Sequence, residues 1–290
     1  MEELVWLNGT LCPKKDAKIS IDDRGFLLGD GVFETMRSYK GRVFRLDKHL
    51  ARFFDALAVI HLSIPYTSVE LGKAVNDTLE ANQLQEAYIR LTVTRGQGGK
   101  GIDPPETPSP TIIIVARKFI PYPEQVYREG LTTGISGIKQ NLVSPTARIK
   151  SLNFLDHILA RIEARQKGLD EAIMLNTEDF ICEGTVSNIF IVRQGSLITP
   201  DRESGILPGV TREAVIELAR RKGITVEEKK VKLSELKEAD ECFLTNTLME
   251  VMPVSEIDGV KICRGKPGPL TLRFMEWYKD MVQKELKTGR

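Results

Sequence analysis

The 290-residue sequence predicts an α/β protein with two domains. Three observations carry that prediction. Stretches that alternate apolar and polar residues interleave with stretches that repeat at helical spacing. Pro121-Tyr122-Pro123 interrupts the pattern, which puts a linker at 119–128 between domains at 1–118 and 129–290. The length allows two medium domains, each with a core of its own.

Composition narrows the class. Hydrophobic residues make up 41%, charged residues 28%, and the formal net charge is +1, as in an ordinary soluble globular protein. No run of like charge points to nucleic acid or a membrane surface. Met1-Glu2-Glu3-Leu4-Val5-Trp6 lacks an apolar signal core, and no apolar run is long enough to span a bilayer. Cys12, Cys182, Cys242 and Cys263 form no CxxC pair and read as free thiols of a reducing cytoplasm. His49, His61 and His157 have no metal-ligand spacing, so no metal is expected.

In chain order, residues 4–24 read as two short strands. Gly25, Gly29 and Gly31 around Asp30 mark a tight bend or a close backbone approach, without the strand–glycine–helix context of a dinucleotide fingerprint. Val32–Tyr39 alternates as a strand, and Lys40-Gly41 turns it back through Arg42–Arg45. Leu46 to Ile60 is a helix whose apolar face carries Leu46, Leu50, Phe53 and Leu57. His49 and Arg52 share one flank of that face, and a solvated flank is expected. Thr67-Ser68-Val69-Glu70 has capping-box spacing and opens a second helix to about Asn82.

Ala87–Thr94 puts Tyr88, Arg90, Thr92 and Thr94 on one strand face and Ile89, Leu91 and Val93 on the other. A phenol and a guanidinium two residues apart suit a carboxylate, or simply a solvent-facing side. The glycine- and proline-rich stretch from Gly96 to Pro110 is a long loop of the kind that is often functional. Thr111–Ala116 is a continuous apolar run, expected to be buried on both faces.

Beyond the linker, Leu131–Ile138 is a strand and Asn141–Ala147 a loop. Lys150 then stands at the mouth of a helix ending at Lys167-Gly168, with Leu155, Ile158, Leu159 and Ile162 inward. Taken locally, Lys150 is an ordinary protonated surface amine. Glu183, Gly184 and the small polar residues after them sit between two apolar strands and serve either a ligand or a turn. Gly209-Val210-Thr211 opens a helix to Lys222, offering an anion site or plain capping by Thr211. Strands at Thr225–Val231 and Cys242–Thr245 follow, the latter running into Asn246-Thr247. An amphipathic helix from Leu270 ends the chain.

Seven of these stretches carry a resemblance. In order they are Gly29–Glu34, Arg45–Arg52, Tyr88-Ile89-Arg90, Ile149–Asn153, Glu183–Asn188, Leu207–Arg212 and Thr245-Asn246-Thr247. Together they resemble the fold-type IV pyridoxal-phosphate enzymes, which include branched-chain and D-amino-acid transaminases and aminodeoxychorismate lyase. The resemblance implies a smaller N-terminal α/β domain, a larger C-terminal domain with a pseudo-barrel of strands, pyridoxal 5'-phosphate as cofactor, and a homodimer. It implies that Lys150 carries the cofactor as a Schiff base and that Glu183 faces the pyridine nitrogen. Arg52, Gly209, Val210, Thr211 and Thr247 would bind the phosphate. Leu207 would pack on the ring, with Ser187, Asn188 and Asn246 also lining the cofactor. These roles suit the chemistry, since a dianion wants charge-assisted donors and a protonated ring nitrogen deepens an electron sink.

The substrate is a finer question. Tyr88 and Arg90 match a Tyr-x-Arg that branched-chain transaminases use around the substrate carboxylate. Leu28, Thr35 after Phe33-Glu34, and Asn246-Thr247-Leu248 depart from that subgroup. Arg95 matches a carboxylate-binding arginine of D-amino-acid transaminases. Phe33, Tyr88, Arg90, Arg95, Leu28 and Leu248 are therefore the expected substrate residues. The expected reaction moves an amino group between an amino acid, foremost an L-branched-chain one, and a 2-oxo acid. The alternatives are a lyase giving 4-aminobenzoate and pyruvate, a D-amino-acid transaminase, and a non-catalytic cofactor-binding protein.

Overall fold

A computed structural model describes residues 2–288. The chain forms two compact units. The first runs to Ile120 and also takes in Ile149–Asn153 and the end of the chain from Leu286. The second comprises Pro121–Arg148 and Phe154–Glu285.

In the first unit, six strands form an antiparallel sheet: β1 (Leu4–Leu7), β2 (Thr10–Pro13), β3 (Gly31–Tyr39), β4 (Arg42–Val43), β5 (Ala87–Thr94) and β6 (Thr111–Lys118). Their order is β2-β1-β6-β5-β3-β4. The short helix α1 (Arg24–Leu28) precedes β3, and α2 (Leu46–Val59) and α3 (Ser68–Ala81) follow the β3–β4 hairpin. The Thr67–Glu70 capping box closes on both sides and starts α3. Leu50, Phe53 and Leu57 of α2 and Leu71, Val75 and Leu79 of α3 pack with Val32, Met36, Ile89, Leu91, Val93, Ile112 and Ile114 of the sheet. Each such side chain, once fully buried, contributes about 1.5–3 kcal/mol. The opposite sheet face is less completely buried. Hence β6 is not buried on both faces: Ile112, Ile114 and Ala116 are buried, while Ile113 and Val115 are only half-buried. An antiparallel strand with one packed face alternates even when its sequence does not.

The second unit begins where a linker was expected, but residues from Glu124 are already helical in α4 (Glu124–Glu129). Its other helices are α5 (Leu155–Gln166), α6 (Val210–Arg221), α7 (Leu233–Lys237) and α8 (Pro269–Thr288). Its strands are β7 (Leu131–Ile135), β8 (Glu171–Leu175), β9 (Phe180–Gly184), β10 (Asn188–Arg193), β11 (Ser196–Pro200), β12 (Val226–Lys229), β13 (Val231–Lys232), β14 (Glu241–Asn246), β15 (Glu250–Ile257) and β16 (Val260–Lys261). They form one mixed sheet in the order β12-β11-β10-β14-β15-β7-β8-β9-β13, with β16 beside β15, curled toward a barrel. Ile173, Ile181, Ile189, Ile191, Leu244, Met252 and Val254 fill its apolar core.

Two further expectations are corrected here. Ile149–Asn153, placed by sequence in the second domain at a helix mouth, instead lies extended along the start of β3 in the first unit. Phe33 N donates to the Lys150 carbonyl and Leu152 N to the Gly31 carbonyl, both at 2.9 Å, with Val32 and Ser151 bridged between them. Backbone pairing, which side-chain pattern does not register, decides this. The second correction concerns α5. Leu155 and Ile158, expected inward, are 64% and 50% exposed, and Leu159 and Ile162 are exposed beside them. The helix buries Ala160 and Ala164 against Ala172 and Met174 instead. It carries both a small-residue stripe and a large apolar one, and periodicity alone cannot choose between them. Among the described residues, no helix is long and apolar enough to cross a membrane.

Candidate active site

Strand β3 works on both its faces. Phe33 is buried and points to the sheet face away from the helices, where the Lys150 Nζ lies 4.5 Å and the Arg90 guanidinium carbon 3.8 Å from its ring centroid. Such cation–ring contacts hold long basic side chains in place without spending their donors. The β3–β5 register pairs Phe33 with Thr92, Thr35 with Arg90 and Arg37 with Tyr88, so Tyr88, Arg90 and Thr92 share that face. All three are half-buried. Arg90 Nε donates to Thr92 Oγ1 at 3.2 Å. Neither the Tyr88 hydroxyl nor the outer nitrogens of Arg90 have a hydrogen-bond partner among the described residues.

Glu34 points the other way, into the helices. Its Oε1 accepts from Arg52 Nε at 2.8 Å, and its Oε2 from Arg52 Nη2 at 2.7 Å and His49 Nδ1 at 2.9 Å. The flank of α2 expected to be solvated is therefore buried, because a carboxylate on the apolar sheet face draws the cations inward. Burial alone would raise the Glu34 pKa, but the Arg52 charge and the His49 hydrogen bond overcome it and hold the carboxyl at about 2. Burial, reinforced by the Arg52 and Lys150 charges, keeps His49 below its ordinary value despite Glu34. Facing an ionised carboxylate, His49 Nδ1 is the donor of their hydrogen bond. Sequence reasoning did not name Glu34 or His49 as site residues. The available signal was a charged residue between Val32 and Met36 on an otherwise apolar strand face.

Leu28 ends α1 and is half-exposed. Arg95, expected at a substrate carboxylate, is bonded within the fold. Its Nε donates to Asp30 at 2.8 Å, and its two outer nitrogens donate to the Ile60 and His61 carbonyls at 2.8 and 3.2 Å. Burial would raise Asp30, but hydrogen bonds from Arg95 and Arg24 keep its carboxyl below the usual range. Arg95 therefore pins the glycine turn to the end of α2. R95L is expected to cost about 1–3 kcal/mol of stability by leaving the Ile60 and His61 carbonyls without their donor and Asp30 with Arg24 alone, with KM changed less than about twofold because the Arg95 donors are already committed within the fold. Urea unfolding and steady-state kinetics together check this.

The second unit gathers another set. Glu183, at the end of β9, is buried, and its Oε2 accepts from Asn188 Nδ2 at 3.1 Å and Leu207 N at 3.0 Å. Asn188 Nδ2 also donates to the Leu207 carbonyl at 2.8 Å. These bonds tie the ends of two strands to the turn before α6. Gly209, not Thr211, is the N-cap of that helix, and no side chain caps it. A Cβ at position 209 would run into Asn188 Oδ1. The first N–H groups of α6, on Val210 and Thr211, have no intrahelical partner. The Thr211 hydroxyl stands beside them without a hydrogen bond among the described residues.

Asn246, expected at the cofactor, divides its side chain between its own turn and the turn before β10. Oδ1 accepts from Leu248 N and Met249 N, both at 2.8 Å, and Nδ2 donates to the Val186 carbonyl at 3.0 Å. Thr247 and Leu248 form the half-buried tip of that turn. Thr245, absent from the sequence-based set, faces Asn188 across the β10–β14 pair. Its Oγ1 and the Ser187 Oγ are both buried without a hydrogen-bond partner. Two orphaned hydroxyls beside Glu183 and an uncapped helix N-terminus make this a polar cradle whose donors the protein does not satisfy.

Fold and cradle together define an α/β protein whose second unit leaves hydroxyls and a helix N-terminus unsatisfied at one place. Residues 31–257 match the family described as amino-transferase class IV. The chain belongs to that family and is an aminotransferase. A protein of Methanocaldococcus jannaschii, provisionally named a branched-chain-amino-acid aminotransferase, is 42% identical over 97% of this chain and 96% of its own. The D-alanine aminotransferase of Listeria monocytogenes is 34% identical over 96% of each chain. The T.th. branched-chain amino acid aminotransferase, solved with pyridoxamine 5'-phosphate, superposes with a TM-score of 0.92 at 32% identity, covering 97% of this chain and 94% of that one.

Proposed function

We propose that this aminotransferase binds pyridoxal 5'-phosphate and exchanges amino groups between L-branched-chain amino acids and 2-oxo acids. The observation that carries the cofactor is the unsatisfied cradle of the second unit. Ser187 Oγ and Thr245 Oγ1 are orphaned, and the α6 N-terminus is uncapped. Those donors suit a phosphorylated, oxygen-rich heterocycle. When bound, the cofactor supplies an aldehyde and an electron-withdrawing ring that together take up electrons from the substrate α-carbon.

The protein's residues then divide the work. Lys150 contributes the amine that anchors the cofactor and, once released, moves a proton at the substrate α-carbon. Glu183 holds the proton on the pyridine nitrogen, its carboxylate steadied by Asn188 and the Leu207 amide. The N–H groups of Val210 and Thr211, the hydroxyls of Thr211 and Thr247, and the Arg52 guanidinium receive the phosphate. Leu207 packs on the ring. Tyr88 and Arg90 bind the substrate carboxylate, which their unspent donors support, and Phe33, Leu28 and Leu248 line the side-chain space. The 42%-identical relative supports the branched-chain assignment. The exposed apolar stripe of α5 supports a homodimer, since a monomer rarely leaves such a row of leucines and isoleucines in water. Four free cysteines support a cytoplasmic location.

A half-reaction screen tests the substrate. Holoenzyme mixed with L-leucine or L-valine is expected to pass to the pyridoxamine form, seen as loss of its visible absorption. D-alanine should leave the spectrum unchanged. Conversion by D-alanine alone, or pyruvate release from aminodeoxychorismate with no response to L-amino acids, would refute the branched-chain reading.

A further inference from the structure

Glu34 stands where sheet physics disfavours it. Its neighbours on the helix-facing side of the sheet, Val32, Met36 and Leu91, are fully buried apolar residues. Desolvating a carboxylate, a guanidinium and an imidazole there is costly, and apolar residues of similar volume commonly serve stability as well or better. His49 adds to the cost, because its Nε2 is buried with no hydrogen-bond partner. Stability therefore does not account for the triad, whereas geometry does. The Glu34 carboxylate grips one edge of the Arg52 guanidinium through Nε and Nη2, at 2.8 and 2.7 Å. A guanidinium is planar and rigid, so fixing one edge fixes the plane and aims the other edge away from Glu34. The His49 Nδ1–H binds the oxygen that takes Arg52 Nη2. The carboxylate cannot rotate without breaking both bonds. One step along β3, the backbone of Phe33 holds the Lys150 segment. A single strand thus sets both the lysine and the arginine.

We propose that Glu34 is a positioning residue that sets the Arg52 guanidinium for the cofactor's phosphate, with His49 locking Glu34 in turn. This rests on the assignment of Arg52 to that phosphate. The test titrates apoenzyme with pyridoxal 5'-phosphate and, separately, with pyridoxal, which lacks the phosphate. R52A and E34Q are each expected to weaken pyridoxal 5'-phosphate at least about tenfold, the scale of a charge-assisted hydrogen bond. The double variant should be no weaker than R52A within about twofold, because both changes act on one contact. Pyridoxal affinity should not change. A merely structural role for Glu34 would weaken both ligands alike or add to the R52A loss, and either result overturns the proposal. R52A weakened with E34Q at wild-type affinity removes the positioning role alone. R52A at wild-type affinity removes the phosphate assignment and the positioning role with it. Should E34Q fail to fold, H49L carries the test. It deletes the lock and is expected to weaken pyridoxal 5'-phosphate by roughly threefold or more, with recovery in H49Q, whose amide can donate to Glu34. H49L at wild-type affinity overturns the proposal.

Discussion

Replacing Lys150 by alanine is expected to abolish the visible absorption of the holoenzyme and lower transamination on the order of 10⁴-fold. The effect should be chemical, not structural. The backbone at 150 is held by its carbonyl, which accepts from Phe33 N, and by the bridge between Val32 and Ser151. None of these bonds uses the lysine side chain. The side chain is half-buried, with its Nζ over the Phe33 ring, so truncation should cost no more than about 1 kcal/mol of stability. K150R sharpens the experiment. It keeps a cation over Phe33, but a guanidinium does not deprotonate in a protein and cannot act as amine or base. Both variants should fold, and both should be colourless with added cofactor. A K150A protein that retained the visible band would show that another amine carries the cofactor.

The second large effect is expected at Glu183, where two substitutions separate charge from packing. E183Q keeps the size of the side chain and an oxygen that can accept from Leu207 N and Asn188 Nδ2. It cannot hold a proton on a pyridine nitrogen. Its kcat should fall by roughly 10²–10³-fold with the cofactor still bound. E183A removes the acceptor as well. It strands the Leu207 amide and loosens the turn before α6, so it should also lose about 1–3 kcal/mol of stability. Steady-state kinetics beside thermal unfolding distinguish the two. An E183Q enzyme with near wild-type kcat would exclude a role for this carboxylate at the ring nitrogen.

Much of this was legible in the residue pattern. The period-two runs at Val32–Tyr39 and Ala87–Thr94 and the helical spacing of Leu50, Phe53 and Leu57 are strong because each element packs one face on a core. The capping box at Thr67 is a local code, satisfied by residues within one turn. Other parts were not legible, for physical reasons. In α5 two stripes compete, and the small one wins the inward place because it lets the helix approach β8 closely. Arg95 and Arg90 look alike in sequence as carboxylate binders. Only the partners that reach them, Asp30 and two carbonyls in one case and a lone threonine hydroxyl in the other, tell them apart. Pro253 argues against a central strand, yet β15 pairs across it with β14.

Sequence by itself determined the α/β class and the family, because both rest on short local patterns that arrive in a set order. It also supplied Lys150, Glu183 and Arg52 as candidates. Tertiary structure alone decided how those side chains are held. Lys150 belongs to a segment that leaves its sequence neighbours to pair with β3, Glu183 is steadied from two other segments, and Arg52 is gripped by a carboxylate 18 residues away. Such contacts depend on backbone pairing and on which buried charges meet, and neither is written in the spacing of residues along the chain.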